Sequence, residues 1–161
     1  MNHTLKPIFN KRSRTLILGS FPSVKSRESK FYYGHPQNRF WPLLAKIYET
    51  TKPNTNEEKK EFLLKHNIAL WDVISSCDIN GSSDSSITNV VPNDLTIILN
   101  NTNIKQIYTN GNKAHTLYQK FIYPVIKIQD TPLPSTSPAN ATYSLDKLYD
   151  KWHIIKTIPI K

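Results

Sequence analysis

Apolar and polar residues alternate along the chain in blocks that predict strands and helices in turn. Short, nearly continuous apolar runs predict buried strands, whereas apolar residues recurring every three or four positions predict helices. The predicted strands cover residues 14–19, 68–74, 104–109 and 125–129. The predicted helices cover residues 39–50, 56–66, 92–100, 111–121 and 145–158. Strands that alternate with helices predict a parallel sheet covered on both faces.

The segments between these elements have the composition of loops. Residues 75–88 are rich in Ser, Asp, Asn and Gly, and residues 131–141 are rich in Pro and Ser. Asn56 is predicted to cap the second helix, and Pro92 is predicted to stand in the first turn of the third. No repeat or linker divides the sequence, so we expect one domain over residues 1–161.

A parallel sheet of this kind binds ligands beyond the carboxyl ends of its strands. Four segments are predicted to meet at that edge: residues 20–23 with the aromatic loop that follows, residues 72–76, residues 110–113 and residues 134–140. Their convergence predicts a functional site there.

Charge and cysteine content narrow the class of protein. Lys and Arg number 21 and Asp and Glu 12, which gives a formal charge of 21 − 12 = +9. This excess favours a polyanionic partner, since each neutralised phosphate releases counterions, although a lysine-rich composition without function would look the same. With Cys77 as its single cysteine, the chain can form neither an internal disulfide nor a cysteine-ligated metal site.

One segment has a composition that suits neither a regular helix nor a regular strand. It is the run Phe31-Tyr32-Tyr33-Gly34-His35-Pro36-Gln37-Asn38-Arg39-Phe40-Trp41. Aromatic faces, fixed turns and amide side chains together suit a flat polar ligand such as a nucleobase. An aromatic loop that fills the core would have the same composition.

The other candidate segments also have two interpretations. Residues 19–23 could bind a phosphate or simply end a strand. Residues 134–140 could bind a DNA backbone or form a solvated connection. Asp72 could accept a hydrogen bond from a base N–H or cap a turn. The histidines His35, His66, His115 and His153 show no metal-binding spacing.

Three motifs together resemble the uracil-DNA glycosylase superfamily, most closely its hypoxanthine-DNA (deoxyinosine) glycosylase branch, which neighbours the mismatch-specific (G:T/U) DNA glycosylases. They are Leu18-Gly19-Ser20-Phe21-Pro22-Ser23, Tyr33-Gly34-His35-Pro36-Gln37-Asn38-Arg39-Phe40-Trp41 and Leu133-Pro134-Ser135-Thr136-Ser137-Pro138-Ala139-Asn140. The resemblance covers nearly the whole chain. It implies a three-layer α/β sandwich around a central, mostly parallel, four-stranded sheet.

The resemblance implies an enzyme of base-excision repair that hydrolyses the N-glycosidic bond of a deaminated base without metal or cofactor. Hypoxanthine is the expected base, with uracil as a second. In most of the superfamily an Asp or Asn of the first motif positions the water, but that position is Phe21 here. The resemblance instead implies that Asn38 is the catalytic residue, which orients water beneath C1′ and accepts a hydrogen bond from it.

The same resemblance implies which residues bind the substrate. For the base these are Gly19, Phe21 with its backbone at the base edge, Tyr33 as the stacking ring, and Asp72 as the reader of an N–H group. Candidate contacts to the DNA backbone are Ser20, Ser23, Lys113, Ser135, Ser137 and Asn140. Ser135 and Ala139 occupy the positions of the catalytic His or Asn and of the apolar wedge in relatives, which implies weaker leaving-group stabilisation and weaker flipping.

The expected partner is double-stranded DNA with the damaged base flipped out, and the expected state is a monomer. No apolar run approaches the roughly 20 residues that span a bilayer, so we expect a cytoplasmic, nucleoid-associated protein without membrane contact. Two other classes stay open: a catalytically silent nucleic-acid-binding module of the same fold, and a hydrolase of free nucleosides.

Overall fold

The structure is a computed structural model that describes residues 5–21, 31–78 and 88–156. The strands are β1 (Thr15–Gly19), β2 (Ile68–Asp72), β3 (Ile74–Asp78), β4 (Thr88–Pro92), β5 (Gln106–Asn110) and β6 (Thr131–Leu133). The helices are α1 (Phe40–Ile47), α2 (Asn56–Lys65), α3 (Thr96–Leu99), α4 (Asn112–Leu117), α5 (Tyr123–Ile126) and α6 (Leu145–Trp152). A π-helical turn (Tyr118–Ile122) joins α4 to α5, and a 3-10 turn (His153–Lys156) follows α6.

Four strands form one all-parallel sheet in the order β2-β1-β5-β6. Every residue of β1 and β2 is buried, which is why both strands read as continuous apolar runs rather than alternating ones. Strands β3 and β4 pair antiparallel in a separate two-stranded ribbon. The predicted α/β fold with a central, mostly parallel, four-stranded sheet is confirmed.

The strand order creates a switch point between β1 and β5. From β1 the chain moves outward to β2, and it then returns past β1 to build β5 and β6 on the other side. Because parallel crossovers are right-handed, the connections on the two sides of this point lie on opposite faces of the sheet. A crevice therefore opens beyond the carboxyl ends of β1 and β5, which is where α/β sheets bind ligands.

Local sequence explains where the helices start. Thr55, not the predicted Asn56, caps α2: its side chain accepts a hydrogen bond from the backbone N–H of Glu58, and the Glu58 carboxylate accepts one from the backbone N–H of Thr55. Ser144 caps α6 by accepting from Lys147 N. Helix α6 packs against α1 and ends at Trp152, earlier than predicted; a 3-10 turn continues to Lys156, and residues 157–158 of the predicted helix lie outside the described ranges.

The predicted loop at residues 75–88 and the predicted helix at 92–100 are wrong in part. Residues 74–78 and 88–92 form β3 and β4, and residues 79–87 lie outside the described ranges. Pro92 ends β4 instead of opening a helix, which begins only at Thr96. A proline fits the end of a strand in a two-stranded ribbon, because no central ladder needs its missing N–H.

The predicted strand at residues 125–129 is also wrong. Residues 123–126 are helical, with Pro124 in the first turn, and Lys127 ends the helix in the left-handed conformation with φ of 60°. Val125 is 75% exposed, so its β-branched side chain does not report a buried strand. The edge strand is β6, inside the segment that was predicted as a loop.

The carboxylate of Asp130 fixes β6 to its neighbours. Asp130 is 3% exposed, and its Oδ2 accepts hydrogen bonds from Thr109 (2.6 Å) and from His115 Nδ1 (2.8 Å). Its Oδ1 accepts from Gln119 (2.7 Å) and Gln129 (3.0 Å). A buried carboxylate with four donors is fully compensated, so it anchors the start of β6 without an unsatisfied charge.

Candidate nucleic-acid active site

Residues from the ends of neighbouring strands and from two loops meet above the switch point. They form what we call the switch-point cluster: Gly19 of β1, Asp72 of β2, Asn110 of β5, Tyr33 and Asn38 of the aromatic loop, and Thr136 of the loop after β6. Their order along the edge follows the order of the strands in the sheet. The predicted convergence at the carboxyl edge is therefore what the structure has.

Gly19 and Asp72 are paired in register at the ends of β1 and β2. A Cβ atom added to Gly19 would lie 2.4 Å from Asp72 Oδ1 and 3.0 Å from Tyr33 Oη. Asp72 is 3% exposed, so its carboxylate sits in the space that the missing side chain leaves. This glycine is needed for close approach of neighbouring groups.

Tyr33 places its hydroxyl at the same point. Its backbone has a φ of 55°, and its ring stacks on Phe40 with centroids 4.1 Å apart and planes at 25°. Burial, and secondarily the Asp72 carboxylate, raise the pKa of the Tyr33 hydroxyl, so the phenol is neutral. The nearby Asn110 side chain slightly opposes this shift, although the hydroxyl reaches no partner at full hydrogen-bond geometry among the described residues.

The aromatic loop serves the core and the site together. Phe31, Tyr32, Phe40 and Trp41 are all buried, and Trp41 Nε1 donates to the Tyr32 carbonyl at 3.1 Å. These residues match the core-filling interpretation of the segment. Tyr33 and Asn38 are half-buried, so part of each side chain remains available to a ligand.

Asn38 is held by hydrogen bonds to its side-chain oxygen. Asn38 Oδ1 accepts from the backbone N–H of Phe40 (2.9 Å) and from the Thr136 hydroxyl (2.8 Å). Thr136 in turn accepts from Asn110 Nδ2 (3.1 Å), and its backbone N–H donates to Asn110 Oδ1 (3.0 Å). The three side chains form one continuous network.

The orientation of each amide in this network is determined by backbone donors. The Phe40 N–H requires an oxygen opposite it, which fixes Oδ1 of Asn38, and the Thr136 N–H fixes Oδ1 of Asn110. A carbonyl oxygen has two lone pairs, and both of those on Asn38 Oδ1 are used. Asn38 Nδ2 makes no hydrogen bond within the described part of the chain, so it presents N–H donors.

This geometry bears on the role predicted for Asn38, which stays a prediction. Seating a water by accepting its hydrogen bond would need a lone pair of Oδ1, and both are occupied inside the protein. The position itself matches the prediction, since Asn38 is half-buried at the carboxyl edge rather than enclosed in the core.

Arg39 fixes the loop that contains Thr136. Its Nη2 donates to the carbonyls of Ser137 (2.7 Å) and Asn140 (3.0 Å), and its Nη1 donates to the carbonyl of Tyr143. Its backbone N–H donates to the Thr136 carbonyl at 3.0 Å. One arginine therefore ties the aromatic loop to the loop after β6.

The residues predicted to contact the DNA backbone differ in the hydrogen-bond donors that they can offer and in where they lie. Ser135 and Ser137 each accept a backbone N–H through their hydroxyl oxygen, which leaves their own O–H as a donor. Asn140 donates from Nδ2 to the Ser135 carbonyl, which leaves its second amide N–H as a donor. Ser20 and Lys113 are half-buried beyond β1 and in the first turn of α4, and Ser23 lies outside the described residues.

Of the remaining predictions, Phe21 is half-buried at the end of β1 and packs against the core. Asn110 and Thr136 were not predicted as site residues. Asn110 follows a predicted strand at the ligand edge, which could have indicated it, but Thr136 is an ordinary member of a Pro/Ser loop.

Among the described residues, no three His, Cys, Asp or Glu side chains converge as metal ligands, and no helix is long and apolar enough to cross a membrane.

Comparison with known proteins identifies the family. The model of the uracil DNA glycosylase superfamily matches residues 7–158. A hypoxanthine DNA glycosylase of Methanosarcina acetivorans is 34% identical over 142 residues, which cover 87% of this chain and 89% of that protein. A hypoxanthine DNA glycosylase of Methanosarcina barkeri is 34% identical over 110 residues, which cover 67% of this chain and 70% of that protein.

A solved structure has the same fold. It is a Methanosarcina acetivorans protein, determined by solution NMR and provisionally assigned as a uracil DNA glycosylase. It superposes with a TM-score of 0.82 at 29% identity and covers 96% of both chains. The resemblance drawn from the three motifs is confirmed, and the chain belongs to the uracil-DNA glycosylase superfamily.

Proposed function

We propose that the protein is a DNA glycosylase that removes hypoxanthine from DNA. Membership of a DNA glycosylase superfamily supports the reaction class, and the two hypoxanthine DNA glycosylases among its relatives support the base. The observation that carries the proposal is the Asn38 carboxamide, held over the switch point by Thr136 and Phe40. The relatives give uracil no specific support, so hypoxanthine is the substrate that we propose.

In the proposed reaction, the C1′–N9 bond breaks and its electron pair leaves with the base. Water adds to C1′ and loses a proton, and the departing base gains one, so the products are free hypoxanthine and an abasic deoxyribose. The sugar becomes positively charged and the base negatively charged in the transition state. Groups that stabilise this separation lower the barrier.

The cluster has a group for each part of the base. The outer face of Tyr33 would stack on it, since Phe40 covers the inner face. The Asp72 carboxylate, which fills the space beside Gly19, would accept from the N1–H of hypoxanthine. Phe21 would border the pocket at the end of β1. The target nucleotide must leave the duplex to reach these groups, and we propose that it is flipped out.

The first test is release of base from duplexes that contain deoxyinosine, scored as abasic sites under single-turnover conditions. We expect activity in the wild-type protein and a loss on the order of 10²–10³-fold in Asn38→Ala, the size typical of removing one transition-state hydrogen bond. Lys60→Ala, a change at an exposed position of α2, is the matched control and should keep full activity.

The outcome of this assay separates the alternatives. A protein that binds the inosine duplex but never releases base would be a silent nucleic-acid-binding module. A protein that hydrolyses free inosine with little dependence on salt would be a nucleoside hydrolase, since DNA binding weakens steeply as salt rises. The single domain over residues 1–161, the monomeric state and the cytoplasmic, nucleoid-associated location stay predictions beside this proposal.

A further inference from the structure

We infer that Asn38 acts in the reaction as a hydrogen-bond donor to the departing base, and that Thr136 is the positioning residue that makes it one. This inference rests on the proposed function and assigns the role of one atom within it. The donor is Asn38 Nδ2. The group that it would meet is a lone pair on the base, on which negative charge develops as the glycosidic bond breaks.

The first step of the inference is the polarity of the network. The Thr136 hydroxyl has one hydrogen, and Asn110 occupies its acceptor side with Nδ2 at 3.1 Å. That hydrogen can only point to Asn38 Oδ1, which lies 2.8 Å away. The chain of hydrogen bonds therefore runs from Asn110 through Thr136 to Asn38 and cannot reverse while the Thr136 N–H holds Asn110 Oδ1.

The second step is the burial of Thr136. It is 0% exposed, and all of its polar groups are used: the N–H by Asn110, the carbonyl by the Arg39 N–H, and the hydroxyl by Asn110 and Asn38. A residue with this many fixed partners has no freedom to rotate. Because it holds Asn38 Oδ1 inward, the Asn38 amide presents Nδ2 outward at a half-buried position.

The third step is the choice of ligand. A donor aimed at the oxygen of the attacking water would withdraw electron density from the nucleophile and slow the reaction. A donor aimed at the departing base gains strength as the base becomes anionic, so it favours the transition state over the ground state. The departing base is therefore the group to which Asn38 Nδ2 donates.

The decisive variant is Asn38→Asp. A carboxylate keeps the oxygen that Phe40 and Thr136 hold, but it has no N–H to offer and adds negative charge near a departing anion. We expect Asn38→Asp to lose at least as much single-turnover rate as Asn38→Ala, with an unchanged melting temperature and unchanged affinity for an abasic duplex. An Asn38→Asp protein as active as the wild type would overturn the inference, since it would show that the residue works as an acceptor.

A second measurement tests the contact with the base itself. Free hypoxanthine is titrated as an inhibitor in the presence of abasic duplex, and its inhibition constant is compared between the wild type and Asn38→Asp. We expect the constant to rise at least fivefold in the variant, which loses a donor and gains a charge. An equal constant in the two proteins would overturn the assignment to the base.

The role of Thr136 is tested by Thr136→Val and Thr136→Ser. Valine has the same shape but no hydroxyl, so Asn38 Oδ1 keeps only the hydrogen bond from the Phe40 N–H and its donor is held less firmly. We expect kcat to fall about 10- to 100-fold with KM changed less than threefold, the range of one lost buried hydrogen bond. Serine keeps the hydroxyl and should restore kcat to within about threefold.

The results distinguish failure of the inference from failure of the proposed function. An active wild type with Thr136→Val equally active would overturn the positioning role alone. If Thr136→Val is too unstable to assay, the comparison of Asn38→Asp with Asn38→Ala still decides the donor role. A wild type that releases no base from inosine duplexes would overturn the proposed function, and this inference with it.

Discussion

Gly19, Asp72 and Tyr33 interlock at one point of the sheet edge. The carboxylate and the phenol occupy the space where a side chain at Gly19 would be. Both groups are held by neighbours: Asp72 by its place at the end of a buried strand, and Tyr33 by its stack on Phe40. The smallest addition at Gly19 must therefore displace a group that we assign to base recognition.

We expect Gly19→Ala to destabilise the protein and to lower glycosylase activity. The new methyl group would lie 2.4 Å from Asp72 Oδ1, closer than van der Waals contact allows. Overpacking of this kind costs about 1–3 kcal/mol. Urea unfolding and single-turnover base release measure the two effects.

The control is the same substitution in an Asp72→Ala background. There the carboxylate is absent, so adding Ala at Gly19 should cost less than about 0.5 kcal/mol of further stability, and the double-mutant cycle should show coupling of about 1 kcal/mol or more. Additive free energies of unfolding would contradict this view of the clash.

Sequence alone could indicate the aromatic loop and the ends of the strands but not the hydrogen bonds between them. Asn38 stands out in an unusual segment, whereas Thr136 resembles any hydroxyl residue in a Pro/Ser loop. Its importance comes from four hydrogen bonds that join segments about 26 and 98 residues apart in sequence. Those contacts exist only once β5, β6 and α1 are in place.

At the scale of elements, the ends of α1 and α2 meet through aromatic rings. His66, which follows α2, stacks on Tyr48, which follows α1, with centroids 4.0 Å apart. The ring centroid of Phe62 lies 4.7 Å from that of the His66 imidazole. Burial chiefly, and then the charges of Lys65 and Lys156, lower the pKa of His66, so the neutral ring is favoured in the folded protein.

We expect this contact to make the protein less stable in mild acid. A folded-state pKa below the unfolded value of about 6.5 means that the unfolded chain takes up the proton first. The contribution of His66 to stability is therefore complete above pH 6.5 and is lost as pH falls through the lower, folded-state pKa. Melting temperatures from pH 7.5 to 5 measure it.

His66→Phe keeps a flat ring on Tyr48 and removes the titration. The difference in melting temperature between the variant and the wild type should widen as the pH falls, in favour of the variant. A constant difference across this range would show that His66 does not titrate differently on folding.

The apolar pattern of the sequence predicted a strand correctly where the strand is buried. Strands β1 and β2 are buried throughout, so their apolar runs predicted them within a residue or two at the amino end of β1 and at the carboxyl end of β2. The apolar run at 125–129 misled because a short surface helix, with Pro124 in its first turn and Lys127 at its end, holds Val125 facing solvent. Strand β6 has three residues and depends on Asp130, which local sequence does not reveal.

At the scale of the whole molecule, the charge of +9 gives DNA a long-range attraction. The charges are not equivalent. Lys113 stands in the first turn of α4 beyond the carboxyl end of β5, whereas Lys65 ends α2 at the opposite edge, shortly before β2 begins. Of the two, Lys113 stands at the same edge of the sheet as the switch-point cluster, so it is the one that we expect to contact a phosphate.

We expect affinity for an inosine duplex to fall linearly with the logarithm of salt concentration. Each phosphate contact adds about 0.9 to the slope. Lys113→Ala should therefore lower the slope by about 1, and Lys65→Ala should leave it unchanged. Fluorescence anisotropy between 50 and 300 mM NaCl measures both slopes, in the Asn38→Ala background to prevent turnover. Equal slopes in the two variants would show that Lys113 does not contact a phosphate.

The two terminal nitrogens of the Arg39 guanidinium donate to the carbonyls of residues 137, 140 and 143. We predict that a duplex contacts the loop after β6, which these hydrogen bonds hold in shape before contact. Little conformational entropy would remain to be lost there on association, so binding of this loop should resemble a rigid docking event. Arg39→Lys, which cannot span three carbonyls, would turn that docking into coupled folding and slow the formation of the complex without changing the charge.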